Sequence, residues 1–336
     1  MKIAVLGTVM RDEIHTFRGE RRESFGGILY NVLALAALTD PERDEIRPVC
    51  YLGAEHKAAI TEEFFAHRPH IRTQFMRECT AGTDQNVLQY RTASDRAERM
   101  TLVTPPLDLA ADLLPACADA DAIILNVINA REVDLTTLAA LRRACPRAHI
   151  HLDIHNLGKG LDAESRLVPK GLPDWRDWLS QVNTVQGNEW EMELLLGNKP
   201  ESEEELTASA QALAAIPAIE AAVLTVGGRG AIVAHRLTPG GGLALLRVRA
   251  MDLEAEALDT TGCGDCFSSA FVLEMLRTRN PARAALLATT LSGLNTLSRG
   301  LEAFEKNLDL PHASRQAFPA LMQSIENGWL GEPTKE

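Results

Sequence analysis

Basic residues are the scarcer of the two charge signs in this chain. Lys and Arg number 34 against 46 Asp and Glu, a formal charge of −12 over 336 residues. Nucleic acids and anionic membranes favour basic surfaces, so this balance argues against either as a partner. ATP stays open, because a few local donors hold phosphates on an otherwise acidic protein. Disulfide spacing is missing too. The six cysteines, at 50, 79, 117, 145, 263 and 266, form no framework, which in a chain of this size reads as reduced thiols in the cytoplasm. Cys263 and Cys266 make a lone Cys-x-x-Cys without a second pair or a thioredoxin-like context, so zinc and redox chemistry are set aside. No apolar run approaches a membrane span, and the run from Ile3 to Leu6 lacks a signal-peptide core. Two nucleotide fingerprints are absent as well. No Gly-x-x-x-x-Gly-Lys-Ser/Thr occurs, which excludes a P-loop kinase. Gly262-x-Gly264 lacks the third glycine, the close preceding strand and the later acidic residue of a dinucleotide site.

Apolar residues make up 46 %, ample for a large core, and no internal repeat is evident. An apolar strand at Ile3 to Leu6 is followed by a helix from Val32 to Leu38 and a strand from Arg47 to Leu52. After Pro105-Pro106 the rhythm resumes, with strands at Ala122 to Val127 and Ala148 to Ile154 and helices at Leu109 to Ala116 and Leu135 to Ala144. Such alternation predicts an α/β fold, a doubly wound and mainly parallel sheet flanked by helices. Residues 82–103 depart from it: they alternate about the polar turn Asp95 to Arg99, a hairpin signal. Residues 14–24 read as polar and irregular.

One stretch carries chemistry. Leu258 to Phe267 leads into an amphipathic helix, with Gly262 and Gly264 flanking Cys263 and Asp265 next. Glycines at a helix start let the backbone turn sharply and leave successive N–H groups unpaired. Backed by the positive end of the helix macrodipole, those groups form an anion cradle. A carboxylate beside such a cradle suits transfer of a phosphoryl group to a hydroxyl: the cradle holds the developing charge and the carboxylate takes the proton.

Asp259-Thr260-Thr261-Gly262-Cys263-Gly264-Asp265 resembles the C-terminal signature of the ribokinase-like (PfkB) carbohydrate kinase family, with Cys263 where the family usually has Ala. Further elements follow in the family's order. Gly7-Thr8-Val9-Met10-Arg11-Asp12 resembles its opening motif, in which the Asp binds sugar hydroxyls. Gly26-Gly27 with Asn31 resembles its Gly-Gly-x-x-x-Asn sugar motif, where paired glycines permit close approach of a ligand. Asp153 matches a strand-end Asp near the cleft, although His155 replaces the usual Asn. Asn188-x-x-Glu191 resembles a motif that positions Mg2+ and phosphates, largely through water; the same spacing is also a capping box. Thr225-x-Gly227-x-x-Gly230 resembles an element contacting nucleotide phosphate or ribose, and a glycine-rich hairpin turn looks the same.

The resemblance implies one ribokinase-like α/β domain over residues 1–336, with a small β lid from about 11–25 and 82–103. It implies ATP-dependent phosphorylation of a hydroxyl on a sugar or sugar-like alcohol, with Mg2+ and, as a further candidate, a monovalent cation. Asp265 is then the general base, with Gly262, Cys263 and Gly264 as the anion hole. Asp12, Gly26, Gly27, Asn31 and Asp153 hold the acceptor. Thr225, Gly227, Gly230, Thr260 and Asn188 hold the nucleotide, and Glu191 with Asn188 the metal. A nucleoside kinase of the same fold is the nearest alternative. It wants an aromatic clamp in the lid, for which a chain with 5 % aromatics offers Tyr90, Phe17 and Phe25. A homodimer through the lid would let an exposed sheet pair its apolar face.

A rival of another class is a metal-dependent hydrolase. His149, His151, Asp153 and His155 alternate and so share one face of a strand, and His is a common ligand. No downstream His or Lys in a matching context completes such a site. His67 and His70, either side of Pro69, read as solvent-facing.

Overall fold

The computed structural model describes residues 1–15, 19–90, 96–237, 241–251, 257–297 and 299–302. Phe17 and the Pro239-Gly240 loop lie outside them. Strands β1 (Lys2–Leu6), β2 (Val9–His15) and β3 (Arg21–Gly27) precede β4 (Glu45–Leu52) and β5 (Met76–Glu78). Next come β6 (Gln85–Tyr90), β7 (Arg96–Thr101), β8 (Ala122–Asn126) and β9 (His149–Asp153). A short pair, β10 (Lys159–Leu161) and β11 (Leu167–Pro169), is followed by β12 (Thr184–Asn188), β13 (Ala221–Thr225), β14 (Ala231–Arg236) and β15 (Leu243–Val248).

Nine of these strands form the main sheet, in the order β15-β14-β13-β12-β9-β8-β1-β4-β5. The pairs are parallel from β13 across to β5, and β14 and β15 add an antiparallel edge. Side chains of a strand alternate between faces, so β1 feeds two cores. Ile3 and Val5 pack with the helices Leu29–Leu38, Cys263–Thr278 and Pro281–Asn295, whereas Ala4 and Leu6 pack with Leu135–Ala144 and Glu203–Ala214. This is the expected doubly wound architecture. The chain leaves β1 for β4 on one side and returns to β8 on the other. That reversal opens a crevice at the carboxyl ends of the strands, where open α/β sheets bind ligands.

A second sheet, β3-β2-β6-β7, stands over this crevice. Residues 14–24 are not irregular, as expected above, but largely strand: β2 and β3 pair from Val9 opposite Gly27 to His15 opposite Arg21. Their polarity has a physical cause. The outer face is knitted by ion pairs, Arg11 to Glu23 at 2.8 Å and Arg21 to Glu13 at 2.9 Å, with His15 on Glu13 at 2.6 Å. The apolar residues Met10, Leu88 and Met100 instead face the crevice.

The connections between lid and main sheet are pinned. Asp84 accepts hydrogen bonds from the N–H groups of Val103 and Thr104 (2.7 and 2.8 Å) and from Asn129 Nδ2 (3.1 Å). Beside them Glu132 accepts from Thr8 Oγ1 at 2.9 Å and from the Asn129 N–H at 2.6 Å. The β10–β11 arm was not expected. It reaches the lid through the Met100 N–H, which donates to Ser165 O at 2.9 Å, and a bridge between Arg99 and Arg166. Across the lid, β3 lies against the turn Gly300–Glu302.

The histidines do not make a metal site. β9 ends at Asp153, and His155 takes a left-handed φ of 41°, which takes it off the strand's alternation. His149 and His151 are buried at the far end of the strand and both meet Thr184 Oγ1, at 3.0 and 2.9 Å. Burial pushes their pKa values down, to about 4 and about 3, so both stay neutral near pH 7. No cluster of three or more potential ligands exists among the described residues. His70 is buried at 4 % exposure, contrary to the solvent-facing reading, while His67 is exposed. None of the described helices is long and apolar enough to cross a membrane.

Candidate active site

A cavity of about 420 Å³ lies between the lid and the carboxyl ends of the strands. Its floor is the start of the helix Cys263–Thr278. The helix begins five residues earlier than its apolar pattern suggests, because Gly262 adopts φ 77° as its N-cap. A Cβ there would lie 2.0 Å from the Tyr30 ring, so backbone and neighbour both demand glycine. Gly264 differs: a Cβ would meet only Gln186 Nε2, at 3.6 Å, so its missing side chain leaves open space over the first turn. The N–H groups of Gly262, Gly264 and Asp265 donate to no other residue among those described, whereas that of Cys263 closes a turn on Thr260 O at 3.3 Å. Three of the four N–H groups at this helix start are thus left without a partner among the described residues. Cys263 directs its thiol away, against Ser292 O (3.4 Å) and Asn295 Nδ2 (3.5 Å).

Asp265 is 7 % exposed and sits in the first turn. Burial, then the neighbouring Asp153, raises its pKa to about 7, and the hydrogen bond from Asn126 Nδ2 opposes the rise. Asn126 also donates to Asn31 Oδ1 at 2.9 Å, and Asn31 Nδ2 donates to the Asp265 carbonyl at 2.9 Å. Asn31 is fully buried and stands behind the cavity wall. Its amide is directed at Asp265 and Asn126, not at the space where an acceptor would lie.

Asp153 accepts from Ser268 Oγ at 2.8 Å and Gln186 Nε2 at 3.1 Å, and Gln186 also donates to Gly264 O at 2.9 Å. Asn188 caps the helix Glu189–Leu196, and both capping-box arms form: Glu191 accepts from the Asn188 N–H at 2.9 Å, and Asn188 Oδ1 accepts from the Glu191 N–H at 3.1 Å. The pair lines the cavity too, so capping and ligand contact are compatible. Burial raises the pKa of both Asp153 and Glu191, and the charge of Asp153 raises that of Glu191 further. A pair of buried carboxyls in this state suits a hydrated divalent cation, whose charge would relieve both.

Asp12, Gly26, Gly27, Thr225 and Thr260 line the cavity. Asp12 lies hard against Gly26, where a Cβ would meet its Oδ2 at 2.4 Å. Gly27, at φ 66°, leaves no room for one beside Thr8 O at 2.0 Å. Gly227 and Gly230 are not in the wall. They shape the tight turn into β14, where a Cβ on Gly230 would meet Val248 O at 2.0 Å. Phe25 is not in the wall of this cavity; it is half-buried against the core, edge-on to His56 at 5.3 Å. The Tyr90 side chain, like Phe17, lies outside what the structure describes. Sequence reasoning missed Asn126 and Gln186, although a polar residue at the carboxyl end of a buried strand was the available signal. It also missed Asn86, Glu98, Asn156, Lys159 and Trp190 in the wall.

The sequence model of the pfkB family carbohydrate kinases matches residues 57–307. The chain belongs to that family. No curated protein sequence matches this pfkB kinase. Solved structures share its fold. A pyrophosphate-dependent kinase in the ribokinase family, in complex with sulfate, is 16 % identical with TM-score 0.73, over 92 % of this chain and 99 % of that one. Arabidopsis thaliana ribokinase, complexed with ribose and ATP, is 17 % identical with TM-score 0.70, over 91 % and 98 %. A pyrophosphate-dependent kinase complexed with a pyrophosphate analog and myo-inositol is 17 % identical with TM-score 0.68, over 88 % and 94 %. The lid and main sheet of this pfkB kinase are those of ribokinase structures.

Proposed function

We propose that this carbohydrate kinase transfers the terminal phosphoryl group of ATP to a hydroxyl of a small sugar or polyol held under the lid. The observation that carries the reading is Asp265: a buried carboxyl with a pKa raised to about 7, beside the unpaired N–H of Gly264 at a helix start. A general base works best with a pKa near the operating pH, and Asp265 has one. It takes the acceptor's hydroxyl proton onto its free oxygen while Asn126 holds the other. The N–H groups of the first turn stabilise charge on the phosphoryl group in flight. Asp12 and Asn86 offer hydrogen bonds to an acceptor's hydroxyls, and Met10, Leu88 and Met100 cover its less polar face. Mg2+ held near Glu191 and Asp153 would neutralise charge on the donor phosphates. The lid excludes water, which otherwise competes as acceptor. Six free cysteines fit a cytoplasmic setting.

Pyrophosphate is the second reading of the donor, favoured by the likeness to two pyrophosphate-dependent kinases. The test is product release from Mg-ATP and from pyrophosphate across pentoses, hexoses, inositols, sugar acids and nucleosides, with Asp265→Asn as control. Asp265-dependent turnover of a sugar or polyol with ATP supports the proposal. Turnover that survives the substitution overturns it, and turnover with pyrophosphate alone replaces the donor.

A further inference from the structure

The cavity wall carries five carboxylates, those of Asp12, Glu98, Asp153, Glu191 and Asp265. Against them stands one lysine or arginine among the described lining residues, Lys159. Any phosphoryl donor is a polyanion, so this wall repels it everywhere except at the helix start and at Lys159. The lysine's position is specific. It opens the β10–β11 arm, its N–H donating to Asn156 O at 2.9 Å. The arm is seated against the helix of the Asn188–Glu191 pair: Gly158 leaves no room for a Cβ beside Leu194 Cβ (2.7 Å), and the Leu172 N–H donates to Leu194 O at 2.9 Å. Lys159 is close enough to Glu191 that its charge lowers the carboxyl's pKa, against the larger opposing effect of burial. Its ammonium has no hydrogen-bond or ion-pair partner among the described residues. Lys159 also borders a neighbouring cavity of about 460 Å³, which Lys170 and Trp190 line as well.

We propose that Lys159 is a catalytic residue that grips the donor's phosphate oxygens from the wall opposite the helix start. The transferring group then passes between two sources of positive potential, the first turn of Cys263–Thr278 and the Lys159 ammonium. No sequence motif announced this residue, because a lysine six positions beyond a strand has no signature until the arm folds back. The inference rests on the phosphotransfer reading above. It also gives the arm a purpose: bonded at one end to lid strand β7 and at the other to the Glu191 helix, it fixes Lys159 relative to both substrates.

The test compares Lys159→Ala and Lys159→Arg with the full-length enzyme, each donor titrated at saturating acceptor and the acceptor at saturating donor. Losing a charge-assisted phosphate contact should raise the donor KM and lower kcat by roughly 10- to 100-fold each, leaving the acceptor KM within about threefold. Arg should restore much of the loss. Binding of pyrophosphate and of ATP to catalytically silent Asp265→Asn is measured by calorimetry, with and without Lys159→Ala. A tenfold or greater loss of donor affinity in the double variant supports the assignment even where turnover is too slow to measure. Unchanged donor affinity, or equal loss toward donor and acceptor, overturns it while leaving the kinase intact. Failure of the kinase reading shows separately, as turnover that ignores Asp265→Asn.

Discussion

Asp265→Asn should make the ligand-free protein more stable in mild alkali while it abolishes most turnover. The folded chain holds this carboxyl at about 7 against an ordinary 3.8. A carboxyl whose pKa is raised by folding contributes fully below its unfolded value, and the contribution is lost as pH climbs through the folded one. Each tenfold is about 1.4 kcal/mol, so ionised Asp265 opposes folding by roughly 4 kcal/mol at pH 8 and roughly 1.5 kcal/mol at pH 5. The amide is nearly the same shape, carries no charge, and its oxygen keeps the bond from Asn126. Allowing for relaxation and water penetration, a gain of about 2 kcal/mol at pH 8 is expected, shrinking toward zero near pH 4. Urea denaturation of both proteins at pH 4, 5, 6, 7 and 8 measures it. Glu191 and Glu132 titrate in both proteins and cancel to first order in the difference, whereas Asp153 loses its repulsion with Asp265 in the variant, which adds to the gain. In parallel kcat should fall about 10²–10⁴-fold, the usual share of a general base. A variant no more stable than wild type at pH 8, with the same pH slope, would refute the account of Asp265 as a buried, raised carboxyl.

The wild-type kcat/KM should rise with pH through about 7 as Asp265 ionises, and a flat profile from pH 5.5 to 8.5 would count against its role as base. Gly262→Ala should lose at least about 2 kcal/mol, since it meets both a left-handed φ and the Tyr30 ring. Gly264→Ala should unfold within about 0.5 kcal/mol of wild type yet bind the donor tenfold or more weakly; calorimetry beside denaturation separates the two effects. Cys263→Ala should keep activity within about threefold, because the thiol faces Ser292 and Asn295 while only the backbone faces the cavity; a hundredfold loss would give the sulfur a role this geometry denies it.

What could be read from the sequence divides along physical lines. Strands β1 and β8 announced themselves because both of their faces are buried, which leaves nearly continuous apolar runs. The β2–β3 hairpin hid because its inner face carries Asp12 and its outer face exchanges ion pairs, so hydrophobic alternation is erased. The β10–β11 arm is three residues to a strand, below the length at which any period shows. The signature pointed to Asp265 and both glycines, and all three line the cavity. Spacing alone could not tell on which side of its helix Asn31 would point, and packing turned its amide toward Asn126. The polar strand ends Asn126 and Gln186 were in plain view, yet a single polar residue after an apolar run carries no periodic signal.

The lid has two outer strands, and each is already engaged. β7 gives a backbone bond to the arm at Met100, and β3 lies along the turn Gly300–Glu302. Neighbours at both edges hinder strand-by-strand pairing of the sheet with a second copy of itself, and the aggregation that such pairing brings. Two molecules meeting through their lids would have to match the Arg11, Glu13, Arg21 and Glu23 lattice face to face. Such an encounter weakens as ionic strength rises, because exposed charges are screened within about 10 Å at 0.1 M salt. Self-association in this kinase should therefore respond to salt rather than to detergent.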